Sequence, residues 1–109
     1  MATGRLGTAN ITTTADTTIY TVPSSTFSVV SVNICNRNAS TAATVRVAVA
    51  SSASPGDAEW IEYDTSIVAS GVLERTGLVM KATEVLVVQV SSATPTISVV
   101  AMGIETSTA

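Results

Sequence analysis

Two stretches of this chain alternate apolar and polar residues with a period of two, and that alternation restricts its fold more than any other feature. From Phe27 to Asn36 the even positions Val30, Val32 and Ile34 are apolar while Ser31 and Asn33 lie between them. From Thr44 to Ala50, Val45, Val47 and Val49 alternate with Thr44, Arg46 and Ala48. Successive side chains of a strand point to opposite faces, so each stretch predicts a strand buried on one face. Between them, Asn36-Arg37-Asn38-Ala39-Ser40-Thr41 collects residues that tolerate left-handed backbone or bond their own main chain, and it reads as a hairpin loop. β-Branched residues dominate and no window keeps a 3.6-residue apolar period, so helices are not expected.

Further strands are expected at Thr18 to Val22, ended by Pro23; Trp60 to Tyr63, preceded by Ser54-Pro55-Gly56-Asp57; Val72 to Met80; Val85 to Val90; and Ile97 to Ile104, with a weaker one near Leu6 to Thr12. About eight short strands separated by turn signals describe an all-β, single-domain antiparallel β-sandwich. Jelly-roll and immunoglobulin-like strand orders both satisfy the alternation. The sandwich is assigned to residues 17–105, flanked by a polar N-terminal arm (1–16) and a short C-terminal tail (106–109). Both flanks are small and polar, and are expected to order by adding a strand to the edge of another chain.

Only 12% of the residues are charged while 46% are hydrophobic, and the mean hydropathy is +0.46. Few charges remain to cover the outside, and large exposed apolar patches mark interfaces, so homo-oligomerisation is expected. Leu86, Val87 and Val88 in succession, and Val99 beside Val100, put apolar side chains on both faces of their strands. A neighbouring subunit is the expected cover for the outward ones. The net charge is -3 and the five cations, Arg5, Arg37, Arg46, Arg75 and Lys81, are scattered, which leaves no basic stripe for nucleic acid. No apolar run approaches the roughly 18 residues of a spanning helix, so no membrane partner is expected. The N-terminus lacks the apolar segment of a secretory signal, and synthesis in a cytoplasm is expected.

Catalysis finds little to work with. Histidine, the usual base for a serine or cysteine nucleophile, does not occur. The lone cysteine, Cys35, reads as a small buried hydrophobe. Carboxylates gather at Asp57, Glu59, Glu62 and Asp64, but their spacing matches no calcium loop, and a solvated rim pairing with an arginine on a partner is the expected role. A glycosidase pair drawn from Glu59, Glu62, Glu74 and Glu84 would lack aromatic platforms, since Tyr20, Phe27, Trp60 and Tyr63 are the only aromatics. Trp60 and Tyr63 are placed on opposite strand faces, one in the core and one at an interface. Glu74 and Arg75 are adjacent, so each is expected to reach a different neighbour. No catalytic residue, cofactor or metal ligand is assigned, and the candidate interface comprises Trp60, Glu62, Tyr63, Glu74, Arg75, Leu86 and Val88.

The stretch from Thr17 to Ala50 contains Ile19-Tyr20-Thr21-Val22-Pro23 and Ile34-Cys35-Asn36-Arg37-Asn38. Trp60-Ile61-Glu62-Tyr63-Asp64-Thr65, Gly71-Val72-Leu73-Glu74-Arg75-Thr76-Gly77 and a closing Gly103-Ile104-Glu105 follow. Over roughly residues 17–105 these pieces resemble small virion structural proteins of tailed bacteriophages. The resemblance implies a β-sandwich that decorates the particle, without catalytic residues, and a location in the virion. The leading expectation is a capsid decoration or cement protein, partnered by the major capsid protein or other virion proteins and itself a homo-oligomer, a trimer among the forms considered. Many modest contacts repeated over a lattice would supply its affinity. A tail- or fibre-associated subunit is the second expectation, and a carbohydrate-binding module using the Trp60/Tyr63 region is the alternative from another class.

Overall fold

The computed structural model describes residues 2–92 and 94–108. Eight strands follow one another: β1 (Thr3–Ile11), β2 (Thr17–Thr21), β3 (Thr26–Asn36), β4 (Ala43–Ala50), β5 (Trp60–Ile67), β6 (Val72–Met80), β7 (Val85–Val90) and β8 (Ile97–Ser107), with no helix among the described residues. They form two antiparallel sheets of four, ordered β1-β8-β3-β6 and β2-β7-β4-β5. The β-sandwich read from the alternation is therefore the architecture found, and its strand order is that of an eight-stranded jelly roll.

The alternating residues meet between the sheets. Val30, Val32 and Ile34 of β3 and Ile97, Val99 and Ala101 of β8 face Val45 and Val47 of β4 and Leu86, Val88 and Val90 of β7, all at 0% exposure. Each such valine, leucine or isoleucine side chain removed from water contributes about 1.5–3 kcal/mol, which makes this layer the main source of stability. Leu86 and Val88 thus belong to the core rather than to an interface. Val87 does point outward, yet it is 0% exposed, because Trp60 of the same chain packs over it together with Ala48 and Val85. The expected cover by a neighbouring subunit is unnecessary there.

The loop after β3 departs from the expected hairpin. β3 and β4 lie in different sheets, so residues 37–42 arch across the end of the sandwich. Asn36, 1% exposed, holds the arch: its Nδ2 donates to the carbonyls of Thr41 (3.0 Å), Ile67 (3.2 Å) and Val68 (3.3 Å), and its Oδ1 accepts from the Asn38 amide (3.1 Å). Local turn chemistry serves a hairpin and an arch alike.

The N-terminal segment is part of the domain. β1 pairs with β8 from Thr3 opposite Ile104 to Ile11 opposite Ile97, so the edge that it completes belongs to its own chain. Ile11 enters the core, with Leu6 and Ala9 packed against it. An edge strand hydrogen-bonded on one side and solvated on the other holds with few large side chains, which is why its composition resembled an arm. β8 likewise extends through Ser107, taking in the first two residues of the expected tail.

Opposite this arch, at the other end of β3, a polar cluster ties the sheets together. The Tyr20 hydroxyl of β2 donates to Glu105 Oε2 of β8 (2.6 Å) and shares a 2.7 Å hydrogen bond with Ser28 Oγ of β3. Burial and the neighbouring carboxylate push the Tyr20 hydroxyl up to about 12. Glycine is required where backbones touch: a Cβ on Gly103 would lie 2.0 Å from the Val29 carbonyl oxygen.

Two outcomes test this account. Gly103→Ala is expected to separate β3 from β8 and destabilise the fold by about 3 kcal/mol in chemical denaturation. The fold favours neutral Tyr20, so its contribution is whole below about pH 10, the unfolded value, and is lost as pH rises toward 12. Denaturation midpoints are expected to fall over that window, and the tyrosine part of the fall is expected to vanish in Tyr20→Phe, which itself costs about 1–2 kcal/mol at neutral pH.

Candidate functional site

β5 carries one more residue than its partner at two places, and these bulges build the most chemically varied corner of the surface. Val45 pairs with Thr65 and Val47 with Glu62, so Tyr63 and Asp64 together oppose the single residue Arg46. Asp64 takes a left-handed φ of 55°, which an aspartate tolerates better than most side chains. The second bulge, where Ala48 pairs with Trp60, returns Trp60 to the outer face.

As a result Trp60 and Tyr63 share a face, contrary to the strict alternation expected of them. Their rings meet edge-to-face with centroids 5.9 Å apart at 72°. The Arg46 guanidinium lies 3.9 Å over the Tyr63 ring, and it donates from Nε to Asp64 Oδ1 (2.6 Å) and from Nη2 to Asp64 Oδ2 (3.2 Å). Its Nη1 reaches Gln89 Oε1 at 3.3 Å. Trp60 is half-buried over Ala48 and Val87, whereas Tyr63 remains 58% exposed. Asp57, Trp60 and Tyr63 line an open concavity beside them.

Three of the four clustered carboxylates, Glu59, Glu62 and Asp64, find partners within the chain rather than on another one. Glu62 accepts from Arg75 Nη1 (2.9 Å) and from Thr65 Oγ1 (2.6 Å), which joins the edge of one sheet to the edge of the other. Glu59 accepts the Gly56 amide at 2.8 Å and the Ser51 amide at 2.9 Å, closing the loop before β5. Those backbone donors hold its carboxyl below the usual range, and the Arg46 hydrogen bond does the same for Asp64 while raising Arg46. Glu74 is exposed, and among the described residues it has no hydrogen-bond or ion-pair partner. Arg75 faces away from it toward Glu62, as adjacency requires.

A second surface was not singled out in the sequence. On the outer face of the β1-β8-β3-β6 sheet, Val79, Val29 and Ile104 stand side by side at 71%, 42% and 54% exposure, with Phe27 and Met102 next to them. The signal was present in β3, where Phe27 and Val29 occupy the parity opposite Val30, Val32 and Ile34. Cys35, expected in the core, lies half-buried on this outer face between Val72 and Ser98. No group of three or more histidine, cysteine or acidic side chains among the described residues is placed to hold a metal.

No protein-family model matches the chain, and no curated protein or solved structure matches it significantly.

The acid stability profile follows from the hydrogen-bonded carboxylates. Glu59, Asp64 and Glu105 are all held below their ordinary values, so the stability that they contribute is full above about pH 4.5 and is lost as pH falls through the lowered values. Histidine is absent, so thermal midpoints measured from pH 5 to pH 8 are expected to form a plateau, with a decline only on the acid side of it. A step within the plateau would contradict this assignment.

Proposed function

We propose that this chain is a structural subunit of a tailed-phage virion, a capsid decoration protein that binds the major capsid protein through many copies of a modest contact. The observation that carries the reading is the apolar and aromatic side chains held outward on both sheets of the sandwich, Val29, Val79 and Ile104 on one and Tyr63 on the other, each more than 40% exposed. Patches of that kind belong to proteins that work against other proteins. Jelly rolls serve in viral capsid and lectin domains, which suits the reading, although a fold alone does not assign a function.

The docking contact is assigned to the Trp60–Tyr63–Arg46 corner. Tryptophan, tyrosine and arginine are the side chains that most often dominate protein interfaces. Here Arg46 is already held by Asp64 and by the Tyr63 ring, so little side-chain freedom remains to be lost on binding. Repetition over a lattice then turns a weak contact into durable attachment. Copies are expected to associate with one another as well as with the shell.

A carbohydrate-binding role is the second reading, favoured by the open concavity of Asp57, Trp60 and Tyr63. It fits less well, because the Arg46 guanidinium already occupies one face of the Tyr63 ring that a sugar would stack on.

Mass spectrometry of separated heads and tails, from particles of the phage that encodes the chain, is expected to recover it with heads in many copies. Recovery with tails alone would move it to the tail or fibre, and absence from both would remove the virion reading. Tyr63→Ala is expected to weaken co-sedimentation with heads at least about tenfold while leaving the thermal midpoint nearly unchanged, since Tyr63 is exposed. Loss of binding to a glycan array on Trp60→Ala would favour the second reading instead.

A further inference from the structure

The outer face of the β1-β8-β3-β6 sheet is ordered in rows by its register. One row runs Thr3, Ile104, Val29, Val79 across β1, β8, β3 and β6. The next runs Arg5, Met102, Ser31 and then the Thr76-Gly77 bulge of β6, where Gly77 takes a φ of 70°. The third runs Thr8, Val100, Asn33, Glu74. Across these rows the only charged residues are Arg5 at one edge and Glu74 at the other. Both are exposed, and neither has a hydrogen-bond or ion-pair partner among the described residues.

We infer that this face packs against the same face of a second copy, about a two-fold axis parallel to the strands and midway between β8 and β3. That axis lays β1 of one copy over β6 of the other and β8 over β3. The apolar row then meets itself, with Val29 against Ile104 and Val79 against Thr3. Arg5 comes to rest over the partner copy's Thr76-Gly77 bulge, one residue pair or about 7 Å along the strand from Glu74. Facing sheets pack about 10 Å apart, within the combined reach of an arginine and a glutamate, so two symmetric ion pairs flank an apolar centre. A two-fold axis perpendicular to the strands would instead bring each edge against itself, arginine near arginine.

The area is sufficient. Four strands spaced about 4.8 Å apart and about nine residues long present about 600 Å² per copy, or about 1,200 Å² in total, above the roughly 1,000 Å² that a specific interface requires. Depletion of charge at the centre with an opposite pair at the rim is the composition of such an interface. The pair forms from this chain alone and requires no particle.

Sedimentation equilibrium of the full chain over a concentration series tests the inference. The wild type is expected to be a dimer. Arg5→Glu alone and Glu74→Arg alone are each expected to weaken association at least tenfold, with unchanged melting of the monomer. An equimolar mixture of the two variants is expected to regain the dimer, because each supplies the charge that the other lacks. Val29→Lys is expected to abolish association with no rescue in either mixture. In the wild type, alkylation of Cys35, on the same face, is expected to slow as protein concentration rises. A wild type that stays monomeric, a trimer as the only assembly, or a mixture no more associated than its components would overturn the inference.

Discussion

The placement of β8 between β1 and β3 is the constraint on which the rest of this molecule depends. β8 is the last strand, and its main chain satisfies the first strand on one side and β3 on the other. Remove it and β1 has no hydrogen-bonding neighbour, while β3 keeps only β6. Ile97, Val99 and Ala101 would leave the core with it. Unpaired main-chain groups cannot stay buried without cost, so the sheet does not exist in part. The pairing joins residues separated by nearly the whole chain, which makes the fold one of non-local contacts that form late and together.

That closure also explains where polar groups are allowed inside. Tyr20, Ser28 and Glu105 lie near the end of the sheet at which β3 begins and β8 runs out, where the two layers would otherwise splay. Asn36 performs the corresponding task at the opposite end of β3, bonding the arch and the end of β5. Both clusters are satisfied by several partners, the condition under which buried polar groups specify an arrangement instead of weakening it. Between them the interior is aliphatic.

The strands and their inward faces were legible because alternation states them directly: Val30, Val32, Ile34, Val45 and Val47 all lie where their parity puts them. Three things were not. Strand order is set by which strands pair across the whole chain, and Asn36 to Thr41 carries the same turn chemistry whether it closes a hairpin or spans two sheets. Parity itself fails at a bulge, so Trp60 and Tyr63 appeared to diverge when the extra residue of β5 in fact brings them together. Finally, Thr3 to Asn10 looked like a loose arm because an edge strand draws its stability from main-chain bonds, which composition does not display. Whether the arginines that pair with these acids come from this chain or another is a matter of cross-strand neighbours, and Arg46 and Arg75 are both its own.

The two outer faces are treated differently, and the difference argues that the exposed one is selected rather than an accident of a hydrophobic composition. On the β2-β7-β4-β5 sheet, outward Val87 is fully shielded by Trp60, and the surrounding charges are absorbed by Arg46 and Asp64. A chain able to fit that cover leaves Val29, Val79 and Ile104 of the other sheet without one. Several of its few charges are engaged locally, since Glu62 takes Arg75, Asp64 takes Arg46, and Glu59 takes loop amides, while Arg5 and Glu74 stand unengaged at the two margins of the bare face, as Asp57 and Lys81 do elsewhere. A surface that is apolar in the middle, unpaired at its rim and opposite in sign at its two edges has the properties of half of a contact. That face is where a second molecule would cover the most exposed apolar surface.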